Sequence, residues 1–242
     1  MQFRSFCLAR RGSRPEECDD ACAANHPLGR FAVADGAAGS VFARSWAQWL
    51  VQQYVASSDT EIDAWIGRLP KVQEEWAAQF RGRELPWYAE VKLQQGAFAT
   101  LLGLNVKDFP GLACQWHAWA IGDSCLFHTR GGKLLKSFPV EQSGRFNNSP
   151  ALLGSKTASE EIQRRSVTIH GSGVPNDRLW LMTDSLAQWC LAEHESARCP
   201  WTEMEECLSA SASEEPFSSW IEGLRDRRGL RNDDVTLMAI RF

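Results

Sequence analysis

The sequence predicts an α+β fold in which antiparallel sheets carry helices on their outer faces. Strand-like segments cluster at both ends of the chain and in its middle, and helix-like segments fall into two groups between them. The chain has 242 residues, 44% apolar and 23% charged, so it can bury a sizeable core. Gly131-Gly132 follows a strand-like segment and indicates a hairpin, which joins antiparallel strands. We expect one domain over residues 1–242.

The N-terminal part of the chain is predicted to form three strands and then two helices. Short apolar runs bounded by turn residues indicate the strands. They span residues 2–9, 19–25 and 30–34. Apolar residues at helical spacing indicate helices over 41–55 and about 60–82. Pro70 lies inside the second helix, and we expect it to break or kink the helix because proline lacks a backbone N–H.

The rest of the chain returns to strands before a second group of helices. The strands are predicted at residues 96–104, 115–130, 179–182 and 235–242. The helices are predicted at about 185–193, 200–210 and 215–228. The polar stretch 141–165 contains Asn147-Asn148-Ser149-Pro150, and we expect it to be an irregular connection.

Charge and hydropathy exclude several classes of protein. Lys plus Arg number 26 and Asp plus Glu 30, a net charge of −4, which argues against a protein that mainly holds nucleic acid. No apolar run approaches the ~20 residues that a membrane helix needs. The first residues lack the charge order and the apolar length of a secretory signal. We therefore expect a soluble, cytoplasmic protein with no nucleic-acid or membrane partner.

The 8 cysteines and 11 tryptophans have structural interpretations. The cysteines are spread along a full-sized chain with no CxxC pair, so buried thiols are favoured over a disulfide framework or a structural zinc. The tryptophans are predicted to pack in the core, since each carries a large apolar area. An aromatic groove that binds peptides is the alternative.

Aspartates stand at the ends of several apolar strands. Asp35 follows one strand, Asp184 follows another, and Asp233 precedes the last one. Asp19 and Asp20 stand just before Ala-Cys-Ala. Were these ends to converge, the carboxylates would repel one another unless a cation lay between them, and oxygen ligands suit Mg²⁺ or Mn²⁺. For any one aspartate alone, ordinary turn and cap chemistry is the competing interpretation.

Six segments, taken in chain order, resemble the motifs of one family. They are Cys18-Asp19-Asp20-Ala21, FAVADGAAG at 31–39, GAFAT at 96–100, Gly122-Asp123-Ser124, Leu181-Met182-Thr183-Asp184-Ser185 and Asp233-Asp234-Val235-Thr236. Together they resemble the PP2C-type (PPM) metal-dependent Ser/Thr protein phosphatases, whose patterns include N-E-D-A, D-G-x-G-G and D-N-x-T. Each segment alone is unspecific, and their shared order over nearly the whole chain makes the resemblance specific.

The resemblance implies a fold and a metal centre. The fold is a four-layer α/β/β/α sandwich, two antiparallel sheets flanked by helices. Asp35 would bridge two Mn²⁺ or Mg²⁺ ions, with the Gly36 carbonyl as a further ligand. Asp184 and Asp233 would complete the protein side of one ion. Asp35, Asp184 and Asp233 are thus the implied catalytic residues.

The resemblance also implies further ligands and a substrate. Asp19 and Asp20 would hold the second ion, partly through waters, and Asp123 would lie near a third, weaker position. The substrate would be a protein phosphorylated on serine or threonine, with a Ser/Thr kinase as the opposing partner.

The chemistry of such a centre does not depend on the family. Two divalent ions that share a water lower its pKa and offset the charge of the phosphoryl oxygens. The chain contains no Cys-x5-Arg nucleophile loop and no Walker-type loop with a lysine, so a covalent phosphocysteine route and a nucleotide-driven enzyme are disfavoured.

Departures from the family pattern leave an alternative open. Pro15 stands where relatives in that family carry a phosphate-binding arginine. The neighbouring Arg14 is the candidate replacement, and Arg10 or Arg11 are further alternatives. Ala37 replaces a histidine proton donor, and Cys125 an arginine. A catalytically weak module that binds or regulates is therefore the second hypothesis, and a phosphatase for small molecules the third. The principal carboxylates are all present, which favours a competent enzyme.

Overall fold

The computed structural model describes residues 1–37, 40, 42–59, 61–109, 111, 113–147, 149–210, 215–227 and 229–242. Val41, Thr60 and residue 228, which stand at the ends of three predicted helices, lie outside the described residues. So do Asn148 of the 141–165 stretch and the last two residues, 38 and 39, of the FAVADGAAG segment.

The described residues form twelve strands and seven helices. In chain order the strands are β1 (Gln2–Leu8), β2 (Ala21–Asn25), β3 (Arg30–Ala34), β4 (Phe98–Ala99), β5 (Leu101–Lys107), β6 (Cys114–Ile121), β7 (Cys125–Arg130), β8 (Lys133–Phe138), β9 (Leu153–Gly154), β10 (Val167–Gly173), β11 (Arg178–Met182) and β12 (Val235–Arg241). The helices are α1 (Ala43–Ala56), α2 (Ile62–Ala78), α3 (Trp87–Gln95), α4 (Ser159–Arg165), α5 (Asp184–Glu195), α6 (Pro200–Ala210) and α7 (Glu215–Asp226). None of these described helices combines the length and the apolar character needed to cross a bilayer.

The strands form two five-stranded sheets and one small pair. The first sheet has the order β1-β12-β11-β7-β8, and the second has the order β10-β6-β5-β3-β2. Neighbouring strands in both sheets are antiparallel. The small pair consists of β4 and β9. The predicted antiparallel architecture is confirmed.

The two sheets pack face to face because side chains on a strand point alternately to its two sides. In β3, Phe31 and Val33 join an apolar cluster that also contains Leu179 and Leu181 of β11. The other face of the second sheet packs against α1 and α2, and the other face of the first sheet packs against α5, α6 and α7. These contacts produce four layers in the order α/β/β/α.

Most tryptophans lie in the core, as predicted. Seven of them are less than 2% exposed: Trp46, Trp65, Trp76, Trp116, Trp119, Trp180 and Trp201. Trp87 on α3 is the clear exception, with 78% of its surface exposed.

All 8 cysteines are free thiols, but fewer of them are buried than the sequence predicted. Cys18, Cys114, Cys125 and Cys190 are buried, whereas Cys7 and Cys199 are exposed. The sulfur atoms of Cys7 and Cys18 lie 3.2 Å apart.

Tertiary packing corrects two predictions about local structure in part. Helix α2 continues through Pro70 instead of ending there, because the buried side chains of Leu69 and Val72 hold both of its halves against the core. The stretch 141–165 is not wholly irregular, since it contains β9 and α4. The backbone carbonyl of Leu153 accepts a hydrogen bond from Nε1 of Trp46 at 2.8 Å, which ties β9 to α1.

A close approach between β5 and α1 gives a test of the packing. Gly103 faces the ring of Tyr54, and a Cβ atom at residue 103 would lie 2.3 Å from that ring. We expect Gly103→Ala to lower the free energy of unfolding by about 1–3 kcal/mol, because the core would be overpacked. Gly67→Ala is the control: Gly67 lies exposed in α2 with nothing near its missing Cβ. That change should stabilise by up to about 1 kcal/mol. Urea unfolding followed by tryptophan fluorescence measures both, and a neutral Gly103→Ala would contradict the packing.

Candidate metal centre

The antiparallel register brings aspartates together within each sheet. In the second sheet Ala21 of β2 pairs with Ala34 of β3, so Asp20 and Asp35 occupy the same edge. In the first sheet Met182 of β11 pairs with Leu237 of β12, so the strand end that carries Asp184 lies beside the strand start preceded by Asp233. Met182 also pairs with Cys125, which places Asp123 at the same edge.

Hydrogen bonds join these two edges across the sandwich. The hydroxyl of Thr183, which follows β11, donates to Oδ2 of Asp20 at 2.8 Å. The backbone N–H of Asp19 donates to Oδ2 of Asp234 at 2.7 Å, and that of Arg10 donates to Oδ1 of the same carboxylate at 2.8 Å. These hydrogen bonds tie together the ends of the two sheets that carry the aspartates.

The carboxylates of this site raise one another's pKa values. The pKa values of Asp20 and Asp35 lie well above the ordinary value, because both groups are buried and because neighbouring carboxylates repel a further negative charge. The charges that act on Asp35 include those of Asp184 and Asp233. Burial, followed by the charge of Asp184, raises the pKa of Asp123 to about 6. Such crowding is costly without a cation.

Asp35 is held in position by its backbone and by a glycine. Its N–H donates to the hydroxyl of Thr100 at 3.0 Å, and its carbonyl accepts from the N–H of Thr100 at 2.8 Å. A Cβ atom at Gly36 would lie 2.6 Å from the carbonyl oxygen of Asp19. The Asp-Gly pair is thus required because no side chain fits where the loop after β3 passes the acidic pair.

Sequence reasoning missed the residues that support the aspartates. The hydroxyl of Thr100 also hydrogen-bonds the hydroxyl of Ser124 at 2.7 Å, which links the loop after β3 to the loop that carries Asp123. The backbone N–H of Thr236 donates to the hydroxyl of Thr183 at 3.0 Å. Thr100, Thr183 and Thr236 all occur inside the motifs quoted above. Their place in those motifs was the available signal of a supporting role.

The donor set fits a hard divalent cation in its chemistry. The side-chain donors are carboxylate oxygens, which Mg²⁺ and Mn²⁺ prefer. Oδ1 of Asp123 is buried and has no hydrogen-bond partner among the described residues, so it is free to act as a ligand. As positioned here, the described residues contain no group of three or more His, Cys, Asp or Glu side chains that could hold a metal ion.

The structure places the arginines differently from the sequence-based expectation. Arg14, the predicted phosphate ligand, is exposed and pairs with Glu17 at 3.3 Å. The cations that act on Asp19 are Arg10 and Arg44. Arg231, which sequence reasoning did not consider, forms an ion pair with Asp184.

The family assignment agrees with this geometry. The sequence model of the family described as "Protein phosphatase 2C" matches residues 10–222, which include the acidic pair, Asp35, Asp123 and Asp184. The chain belongs to the protein phosphatase 2C family. Among curated proteins, none matches its sequence.

Solved structures with the same fold cover the chain almost completely. PppA, described as a key regulatory component of T6SS in Pseudomonas aeruginosa, is 18% identical over 100% of this chain and 99% of its own, with a TM-score of 0.61. The catalytic domain of the serine/threonine phosphatase PstP, in complex with 2 manganese ions, is 18% identical over 98% and 96%, with a TM-score of 0.61. MsPP, a PPM Ser-Thr phosphatase from Mycobacterium smegmatis in complex with cacodylate, is 16% identical over 100% and 98%, with a TM-score of 0.56. At these identities the likeness shows a shared fold.

The raised pKa of Asp123 predicts a pH dependence of stability. Because the folded-state pKa of about 6 exceeds the ordinary 3.8, the folded state binds the proton more tightly. The contribution of Asp123 to stability therefore falls as pH rises from about 4 to about 6, and it stays low above that range. In chelator-treated protein, Asp123→Asn should raise the melting temperature by about 2–4 °C at pH 8 and leave it unchanged below pH 4.

Asp63→Asn is the control for this measurement, since Asp63 is exposed on α2. Its melting temperature should follow that of the unaltered protein at every pH. An Asp123→Asn protein that melts like the unaltered protein at pH 8 would show that burial and the charge of Asp184 do not raise the pKa of Asp123.

Proposed function

We propose that the chain is a metal-dependent phosphatase that hydrolyses phosphoserine and phosphothreonine in proteins. The observation that carries this proposal is the meeting of Asp20, Asp35, Asp123, Asp184 and Asp233 at one edge of two sheets. A binuclear Mn²⁺ or Mg²⁺ centre would supply a water of lowered pKa and positive charge for the phosphoryl oxygens. The family and the fold support the proposal.

The aspartates would divide the work of holding the ions. We assign the bridging position to Asp35, because its backbone is fixed on both sides by Thr100. The carbonyl of Gly36 would add a ligand beside it. Asp184 and Asp233 would hold one ion from the first sheet.

The remaining acidic residues would serve the second and third positions. Asp19 and Asp20 would hold the second ion from the second sheet, partly through waters. Asp20 is fixed for this role by the hydroxyl of Thr183. Asp123, with its unpartnered Oδ1, would serve a third position.

We also infer a location and a substrate for the enzyme. The substrate would be a phosphorylated protein in the cytoplasm, and a Ser/Thr kinase would make the phosphate that this enzyme removes. The net charge of −4 gives no support to a nucleic-acid partner. Residues 1–242 would act as one domain, since hydrogen bonds from residues 10 and 19 reach Asp234.

A catalytically weak regulatory module is the second candidate. Pro15, Ala37 and Cys125 depart from the family pattern, and Asp184 is engaged by Arg231. Hydrolysis of p-nitrophenyl phosphate and of a phosphothreonine peptide, over a range of Mn²⁺ and Mg²⁺ concentrations, separates the two candidates. The enzyme should turn over both substrates with either metal added, and a complete lack of turnover would favour the module.

Replacement of the bridging carboxylate tests the assigned roles. We expect Asp35→Asn to lower kcat by at least about 100-fold, because direct ligands matter more than the surrounding residues, whose loss alone costs 10- to 100-fold. Asp184→Asn and Asp233→Asn should behave similarly. Asp226→Asn, on the exposed end of α7, is the control and should keep full activity. Ordinary activity in Asp35→Asn would refute its bridging role.

Metal binding should stabilise the folded protein. At a Mn²⁺ concentration 100 times the Kd, mass action adds about 2.7 kcal/mol, which raises the melting temperature by about 5–10 °C at this chain length. Asp35→Asn should show little of this increase. A melting temperature that does not change with Mn²⁺ would count against the centre, whatever the activity measurement gives.

A further inference from the structure

Arg231 places a positive charge among the carboxylates. It lies in the segment between α7 and β12, two residues before Asp233, and its guanidinium pairs with Oδ2 of Asp184. One proposed metal ligand, Asp184, therefore pairs with this guanidinium, and a second, Asp233, lies two residues along the chain.

The backbone of Arg231 is anchored, whereas its side chain is partly exposed to solvent. The carbonyl oxygen of Arg231 accepts hydrogen bonds from the N–H of Asp233 at 3.0 Å and from the hydroxyl of Ser185 at 3.4 Å. The side chain is 43% exposed, compared with 16% for that of Asp184. A long side chain on a fixed backbone can leave its partner without disturbing the fold.

A divalent cation and the guanidinium compete for the same carboxylate. If Asp184 binds a metal ion, its charge is taken up by that ion, and the pair with Arg231 loses most of its attraction. The released guanidinium remains beside the centre, and its forked N–H donors match the oxygens of a phosphoryl group.

Arg14 is less suited to this task. Its side chain is 79% exposed and pairs with Glu17, which also accepts the N–H of Arg14 at 2.7 Å. The charges of Arg10 and Arg44 act on Asp19. Arg231 is placed differently, since its guanidinium already pairs with the carboxylate of Asp184.

We propose that Arg231 binds the phosphoryl group of the substrate, and that its ion pair with Asp184 is a resting state which divalent cations displace. This inference rests on the proposed function. It adds to that function a specific phosphate ligand and a competition between an internal cation and the metal.

Arg231→Gln tests both halves of the inference. Calorimetric titration with Mn²⁺ should show a Kd several-fold lower than that of the unaltered protein, because the competing cation is gone. The KM for p-nitrophenyl phosphate and the inhibition constant of inorganic phosphate should each rise by about 10- to 100-fold, the loss expected for a charged hydrogen bond. The kcat should change much less. Arg231→Lys should recover part of the phosphate affinity.

Arg198→Gln is the matched control. Arg198 pairs with Glu193 near the other end of α5, with side-chain exposures of 59% and 18% that resemble those of the Arg231–Asp184 pair. It should match the unaltered protein in Mn²⁺ affinity and in KM. Circular dichroism of each variant checks that the fold is retained.

Different results would overturn different statements. Unchanged or weaker Mn²⁺ binding in Arg231→Gln would refute the competition, and an unchanged phosphate inhibition constant would refute the phosphate role. A rise of that constant in Arg14→Gln, with none in Arg231→Gln, would assign the role to Arg14. If the unaltered protein binds no Mn²⁺, the proposed function fails together with this inference.

Discussion

Repulsion among buried carboxylates is the constraint on which the organisation of this molecule depends. Asp20 and Asp123 are less than 10% exposed, and Asp35 senses the charges of Asp184 and Asp233. A fold that gains its stability from apolar layers has no structural need for such a cluster. The cluster supports the metal centre proposed above, in which cations would offset the repulsion.

The supporting interactions hold the aspartates without neutralising them. Thr100 fixes the backbone of Asp35, Thr183 donates to Asp20, and Gly36 leaves room for the carbonyl of Asp19. The hydroxyl of Thr183 is a neutral donor to Asp20, and Thr100 bonds only the backbone of Asp35, so neither residue places a positive charge on these carboxylates. Arg231 is different, because its charge opposes that of Asp184 directly. It is therefore the residue through which metal and phosphate affinity can influence each other.

The sequence predicted the layers and the strand ends well, because both depend on local patterns. Apolar runs in the sequence indicated β3 and β11, and Asp35 and Asp184 stand at the ends of those runs. Helix α4 was missed since Ile162 is its one fully buried side chain and the rest of SEEIQRR reads as polar. The ion pair of Arg231 joins residues 47 positions apart, and no local pattern reports a contact of that kind. The hydrogen bond from the N–H of Asp19 to Asp234 also joins residues far apart in the sequence, so no local pattern reports it.

The position of β12 has a consequence for how the molecule is made. This strand comes after all the others in the sequence, yet it lies between β1 and β11 inside the first sheet. A nascent polypeptide that still lacks β12 has β1 without its neighbouring strand and the N–H of Asp19 without its hydrogen bond to Asp234. Because such long-range pairing forms late, the first sheet stays incomplete until residues 235–241 have been synthesised.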